Sequence, residues 1–356
     1  MRSSMMFRAL AAMLLIGILV IPASIRPVSA ARSNAKAYTI YLSNNFIGND
    51  YRVEMENTAQ VLVNKAPYLG RVNLHIVNSD NTVASQVASL NNIIQTHPDA
   101  IIMEAVSPDA LNATIARACA QGILVISFDQ VITAPCAWKI DSDFSKQWPW
   151  TAEWLAATLH GKGTVFLDRG LPGLPLSLSA VQHWNAVFKK YPNIHSFYYS
   201  SQIDVGPEQS AVAALLTAHP DVDGILSEDG GLGALRALQI AGHKPVPISA
   251  ASTNGLMLKC AQQHIPCMMF DNPDWLSCVA IRYAVNILDG KLPKAPQYIG
   301  DAEPPYVTNN VPIPGTKELK VIVGVNAYPN LPANIGLPVS PPWANITPQE
   351  ALTGKV

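Results

Sequence analysis

Charge is scarce in this chain. Only 14% of its 356 residues are Asp, Glu, Lys or Arg, and 25 acidic against 24 basic side chains leave a formal net charge of −1. With no basic field to attract a polyanion, neither nucleic acid nor an anionic membrane surface is an expected partner. The eight histidines are scattered, and no HExxH, GxSxG or phosphate-binding glycine loop occurs. No cysteine pair stands at metal-ligand spacing with a histidine, so metal, nucleophilic and nucleotide chemistry lack their usual residues, and neither an enzyme nor a cofactor is expected. Long apolar runs are absent except near the start. There Arg2 and Arg8 precede Ala9 to Ile21, and Val28-Ser29-Ala30 supplies small residues for cleavage. The run is short against the ~20 residues needed to span a bilayer, so residues 1–30 read as a cleaved signal peptide that sends the chain to the periplasm.

What the chain has in quantity is apolar residues, 49% of the total, enough for two cores of ordinary domain size. It also contains an internal repeat. Thr96 to Asp129 and Ala218 to Ala251 each hold a His-Pro-Asp turn, a short apolar strand ending in an acidic residue, a helix, a glycine and a second apolar strand. Around these copies the pattern alternates strand and helix. Strand-like runs lie at 38–42, 72–77, 100–103, 124–128, 164–167, 194–199, 224–226, 246–250 and 266–270. Helical patterns fall at 50–63, 83–94, 109–120, 179–189, 208–218, 232–241 and 273–288, the last with Asn272 as cap and Pro273 at the first position. Continuous rather than alternating apolar strands imply parallel sheets covered on both faces. The fold class is therefore α/β, with two Rossmann-like lobes and a cleft between them.

A first lobe is expected over 36–134 plus about 275–300 and a second over 140–272 plus about 301–312, with the boundary near Thr133 to Asp143. Residues 313–356, rich in proline, read as an extension wrapping the lobes, closed by a short helix signalled by Thr347-Pro348-Gln349-Glu350. Of the five cysteines, Cys119 with Cys136 and Cys260 with Cys267 each flank one helix-to-strand connection and are disulfide candidates in an oxidising compartment, leaving Cys278 free.

In parallel sheets, ligands sit beyond the carboxyl ends of the strands. Those ends carry Asn45, Phe46 and Asn49 after the first strand, Glu104 after the third, and Asp129 and Gln130 after the fourth. The second half supplies Glu228 and Asp229, then Asn254, then Asp271. Carboxylates and amides beside aromatics suit a polyhydroxyl ligand, whose hydroxyls both donate and accept while its C–H face packs on a ring. Structural duties compete. Asn49, Asp50, Asp229 and Asn272 also fit helix caps, Phe46 fits core, Tyr51 fits helix-face packing, and Trp148 with Trp150 fits a surface cluster of one lobe. Asp129 and Asn45 stand out as functional, and His97 and His219 as turn residues.

The run Leu215 to Val222 followed by Gly233 to Gln239, together with Asn44-Asn45, Ser127-Phe128-Asp129 and Asn272-Pro273-Asp274, resembles ribose-binding protein and other type I periplasmic sugar-binding proteins of ABC transporters. That resemblance, over roughly Tyr38 to Gly290, implies two lobes joined by three crossovers that close over a ligand. It places Asn45 and Asp129 on sugar hydroxyls and Phe46 near the ring. Departures accompany it: Gln130 stands where an arginine is usual, Ser177-Leu178-Ser179 offers no second-lobe arginine, Ile203 beside Asp204 replaces an aromatic, and Asn254 is the nearest polar residue to a missing aspartate. The resemblance implies a monomer that captures a monosaccharide or polyol and delivers it to an ABC transporter permease. A sensor presenting its closed form to a membrane receptor or kinase is the alternative.

Overall fold

The computed structural model describes residues 37–300 and 303–356. The expected signal peptide lies outside the described residues. Among those described, no helix is long and apolar enough to cross a membrane.

The first half runs β1 (Tyr38–Asn44), α1 (Asp50–Val63), β2 (Val72–Asn78), α2 (Val83–Gln95), β3 (Ala100–Met103), α3 (Asn112–Ala120), β4 (Leu124–Phe128) and β5 (Trp138–Asp141). The second runs α4 (Phe144–Thr158), β6 (Lys162–Asp168), α5 (Pro175–Phe188), β7 (Asn193–Tyr199), α6 (Val205–Ala218), β8 (Gly224–Leu226), α7 (Leu232–Ile240), β9 (Ile248–Ala251), α8 (Asn254–Gln263) and β10 (Cys267–Phe270). The remainder is α9 (Leu276–Leu288), β11 (Tyr298–Gly300), β12 (Tyr306–Val307), β13 (Leu319–Lys320) and α10 (Pro348–Thr353).

Two sheets result. One is ordered β2-β1-β3-β4-β5-β11 and is parallel throughout; the other is ordered β7-β6-β8-β9-β10-β12-β13, parallel except where β12 opposes β10. The repeat is now explicit, because β3-α3-β4 and β8-α7-β9 occupy the same two positions in their sheets. The strands are apolar on both faces, as in Ile101, Ile102 and Met103 of β3, because helices cover both sides. The chain crosses between the sheets three times, after β5, between β10 and α9, and between β11 and β12. The first crossing follows Asp141, within the stretch Thr133 to Asp143, and Trp138–Asp141, of which the second lobe was expected to hold 140–141, pairs with β4 and extends the first sheet by one strand.

Two local expectations change. Trp148 is no surface residue: α4 buries it completely, stacked on Phe144 at 5.0 Å and edge-on to Trp184 at 5.5 Å and Phe270 at 4.7 Å. Pro149 inside α4 breaks the propensity pattern there, and the aromatic packing compensates. Asn272 does not cap the last long helix; α9 starts at Leu276, and Asn272 is free to face the cleft.

Cys119 is bonded to Cys136 and Cys260 to Cys267, while Cys278 is buried and free, its thiol pushed up to about 12 by burial and hence inert. The chain from 313 onward contacts both lobes. At one end β13 pairs with β12. At the other, α10 packs on α1, with Lys65 donating to Glu350 at 2.7 Å and Asn57 to the Ala351 carbonyl at 2.9 Å. The reciprocal Thr347–Glu350 capping box holds α10.

Asn254 anchors the middle of this tail. Its Nδ2 donates to the carbonyls of Tyr328, Leu331 and Pro332 at 2.9–3.1 Å, and its Oδ1 accepts the Tyr328 N–H at 2.7 Å. The side chain is fully buried, so truncation would strand several backbone groups away from water. Asn254→Ala should therefore lose about 3 kcal/mol in denaturant unfolding. It should also speed proteolytic cleavage between 325 and 340; wild-type stability and protection would contradict this role.

Candidate functional site

The two sheets direct their carboxyl ends at a cavity of about 130 Å³. Its walls come from α1 and the β4 end on one side, and from the ends of β7, β8 and β9 on the other. Asn272 and Asp274 contribute from the second crossing, and Asn334 and Gly336 from the tail. Walls drawn from both lobes and closed by a strap fit a small molecule, not a polymer.

On the first-lobe side the organising residue is one the sequence reading passed over. Asn49 caps α1, its Oδ1 accepting the Arg52 N–H at 3.0 Å, and this fixes Arg52 on the inward face of the first turn. The guanidinium is 2% exposed, paired with Glu104, 3.7 Å from Asp129 Oδ2, and flanked by the rings of Phe46 at 5.0 Å and Tyr51 at 5.4 Å. Burial draws its pKa below the ordinary value, and Asp129 and Tyr51 draw it back. A planar donor fork therefore stands in the cleft although Gln130 and Ser177 are not arginine. The signal was available in principle: a cap at 49 sets residue 52 over the ends of β3 and β4, where two acids wait.

Asp129 sits at φ 53°, a backbone region that costs a non-glycine residue energy and that clusters at functional sites. One carboxylate oxygen accepts from Gln130 Nε2 at 3.1 Å, and the other has no donor. Ile203, a β-branched residue at φ 55°, lines the opposite wall. Its carbonyl accepts from Asn49 Nδ2 at 3.0 Å, and the Leu176 N–H donates to Gln130 Oε1 at 3.1 Å. Both bonds bridge the lobes. Asn49 and Gln130 are thus committed to holding the lobes together as well as lining the cavity.

On the second-lobe side Asp168 accepts three backbone N–H groups, from Gly170, Ser201 and Glu228, at 2.9–3.1 Å, and braces the loops. Glu208 does the same for α6 and α7 through Ser227, Tyr199 and the Gly233 N–H. Glu228 accepts from Ser177 Oγ at 2.9 Å, but its second oxygen has no partner, and neither has one oxygen of Asp229. Across the cavity, Glu54 and Asp274 face each other closely enough to share a proton, with the Gly336 N–H donating to Glu54 at 3.0 Å.

Of the ten residues read from the strand ends, Asn49, Asp129, Gln130, Glu228 and Asp229 line the cavity. Five do not. Asn45 is buried and donates to Asn81, Glu104 lies beneath Arg52, Phe46 covers the guanidinium, and Asn254 holds the tail. Asp271 is off the wall, its backbone N–H and carbonyl both bonded to Gln147 at the second crossing and its carboxyl to Ser252. The aromatic on the wall is Tyr51. The cavity lies at the strand ends, and which side chain lines it depends on helix caps and crossings that apolar periodicity does not encode. Among the described residues, no group of acidic, His or Cys side chains could hold a metal.

Residues 40–292 match the periplasmic binding protein domain model. The chain belongs to that family. Its members are solute-binding proteins, not enzymes. Among curated relatives, the xylitol-binding protein of Mycolicibacterium smegmatis is 26% identical over 48% of this chain and 50% of its own length. The chain thus spans about half of that relative. The ribose import binding protein of Bacillus subtilis is 21% identical over 72% of this chain and 84% of its own. An ABC transporter solute-binding protein from Thermobispora bispora superposes with a TM-score of 0.67 at 24% identity, covering 74% of this chain and 83% of the other. A galactofuranose-binding protein gives 0.68 at 14% identity, covering 76% and 95%. These structures share the two-lobed α/β fold.

Burial pushes Glu54 and Asp229 up to about 7 and Asp271 and Glu208 up to about 8. An unfolded carboxyl titrates near ~4, so between about pH 4 and 8 the folded protein holds protons that the unfolded chain has released. The stabilisation is complete below the unfolded pKa and is lost as pH rises through the folded one. The melting temperature should fall by about 5 °C or more from pH 5 to pH 8, and Asp271→Asn should flatten the slope. A flat or rising profile would contradict the raised pKa values.

Proposed function

We propose that this protein is exported through a cleaved signal peptide, captures a monosaccharide or polyol between its lobes as a monomer, and delivers it to an ABC transporter permease. The observation that carries this reading is a small cavity walled by both lobes in which acceptors of Asp129, Glu228 and Asp229 lack donors. A ligand hydroxyl supplies such a donor and accepts in return from Arg52, while Tyr51 offers a ring face. Relatives named for xylitol, ribose and galactofuranose support a ligand of this class without choosing among them.

The mechanism is binding without chemistry. A ligand that touches both walls binds the closed arrangement better than the open one and shifts the population by that difference. The Asn49–Ile203 and Gln130–Leu176 bonds add to closure, so the closed surface reports occupancy to the membrane partner. A micromolar site corresponds to about 8 kcal/mol, within reach of a few hydrogen bonds and one packed ring.

A thermal-shift panel of pentoses, hexoses and polyols, followed by titration calorimetry of the best responder, tests this. Asp129→Ala and Arg52→Met should each weaken binding by about tenfold or more. No shift with any carbohydrate would overturn the reading, and unchanged affinity in both variants would overturn this placement of the site.

A further inference from the structure

We propose that the ligand is a polyhydroxyl compound bearing a protonated amine, and that its ammonium group seats against Glu228 and Asp229 on the second-lobe wall. This rests on the proposed function and narrows its ligand class.

The argument starts from the balance of charge. The cavity wall carries seven carboxyl side chains against one cation, Arg52, among the described residues. Arg52 lies on the first-lobe side and is already shared between Glu104 and Asp129. No ion pair among the described residues includes Glu228, Asp229, Glu54 or Asp274. Surface carboxylates in this position would be unremarkable, since water solvates them. Here Glu228 is 6% exposed and lines the cavity with a carboxylate oxygen that no donor reaches, and Asp229 beside it does the same with one of its own. Asp168, next to Glu228, adds negative potential, since its partners are the N–H groups of Gly170, Ser201 and Glu228 and the Ser201 hydroxyl rather than a cation.

A neutral polyol can donate to these acceptors but leaves their charge uncancelled. It needs acceptors and donors, and a glutamine or asparagine provides both without the desolvation that a buried carboxylate suffers. Carboxylates in place of amides become the better choice when the ligand brings positive charge, since an ammonium group supplies three donors and cancels the field at once. The placement follows from what each wall lacks. The first-lobe wall has its own guanidinium, which suits hydroxyls or a ring oxygen, whereas the second-lobe wall at Glu228 and Asp229 has no cation. The Glu54–Asp274 pair is the less favourable seat because the Gly336 N–H already serves Glu54 and the two acids can hold a proton between them.

Titration calorimetry on the full chain with matched pairs decides the matter. The pairs are pentitols and hexitols against their 1-amino-1-deoxy forms, and hexoses against the corresponding hexosamines. In at least one pair the amine should bind about tenfold tighter or more than its neutral partner. Glu228→Gln should cut that difference about tenfold by weakening the amine more than its neutral partner, and Asp229→Asn should reduce it less. Neutral compounds binding as tightly as their amines throughout would overturn this inference and leave the proposed function standing. No binding by either member of any pair would overturn the proposed function as well. An amine preference untouched by both substitutions would overturn the seat. Should Glu228→Gln fail to fold, the wild-type comparison together with Asp229→Asn still decides.

Discussion

A carboxyl group taken out of water must find donors, find a cation or take up a proton, and the cleft of this protein is built from all three solutions. Asp168 and Glu208 use donors: backbone N–H groups at loop starts and helix N-termini, with hydroxyls from Ser227 and Tyr199 on Glu208. Glu104 and Asp129 use the Arg52 guanidinium. Glu54 and Asp274, pushed up by burial, face each other closely enough to share a proton. Each solution ties together elements far apart in sequence, so the acid-rich cleft also organises the lobes. Removing Arg52 would leave two buried acids unpaired and loosen the junction of α1 with the ends of β3 and β4.

How much of this could be read from the chain depends on the kind of signal. Continuous apolar strands such as Ala100–Met103 and Leu124–Phe128 declare a parallel sheet, and the His-Pro-Asp repeat declares two of them. Elements that lack an apolar period escaped. β5 alternates burial over four residues between β4 and the edge strand β11, α4 contains Pro149, and α8 begins with Asn254, whose duty is to a tail with no periodicity at all. Arg52 lies in the polar stretch DYRVEMEN, where hydropathy gives no sign of burial; only the geometry of the Asn49 cap turns it inward. Asp129, Glu228 and Asp229 line the cavity because their positions follow from the sheet alone. Asn45, Glu104 and Asp271, also at strand ends, are not on its wall, because the neighbours between them and the cavity are set by tertiary contacts.

The tail adds a wall that the two lobes do not provide. The family match ends at residue 292, whereas Asn334 and Gly336 reach the cavity and Gly336 donates to Glu54. The same segment is tied to Ser252 of the second lobe through reciprocal bonds with Leu337 at 2.7 and 2.9 Å. A strap fixed to both lobes at the floor of the cleft restricts how far they can part. Lobe opening in this chain must therefore either carry the tail along or bend it, and closure energetics belong partly to residues outside the shared domain.

Duplication gave the two halves one scaffold, and the differences between equivalent positions carry the chemistry. β4 ends in Asp129, strained and facing the cavity, where β9 ends in Ala251, whose N–H simply bonds the Asp229 carbonyl. β8 leads into Glu228 and Asp229 on the wall, where β3 leads into Glu104, hidden under Arg52. The first half thus presents a neutralised acid with a guanidinium, and the second presents acids alone. Under the proposed function, a ligand held between them would meet a donor-rich wall on one side and an acceptor-rich wall on the other, and would be selected for the polarity of its two ends as well as for its size. A symmetric sugar would use only part of that difference; a molecule with hydroxyls or a ring oxygen at one end and a charged donor at the other would use all of it.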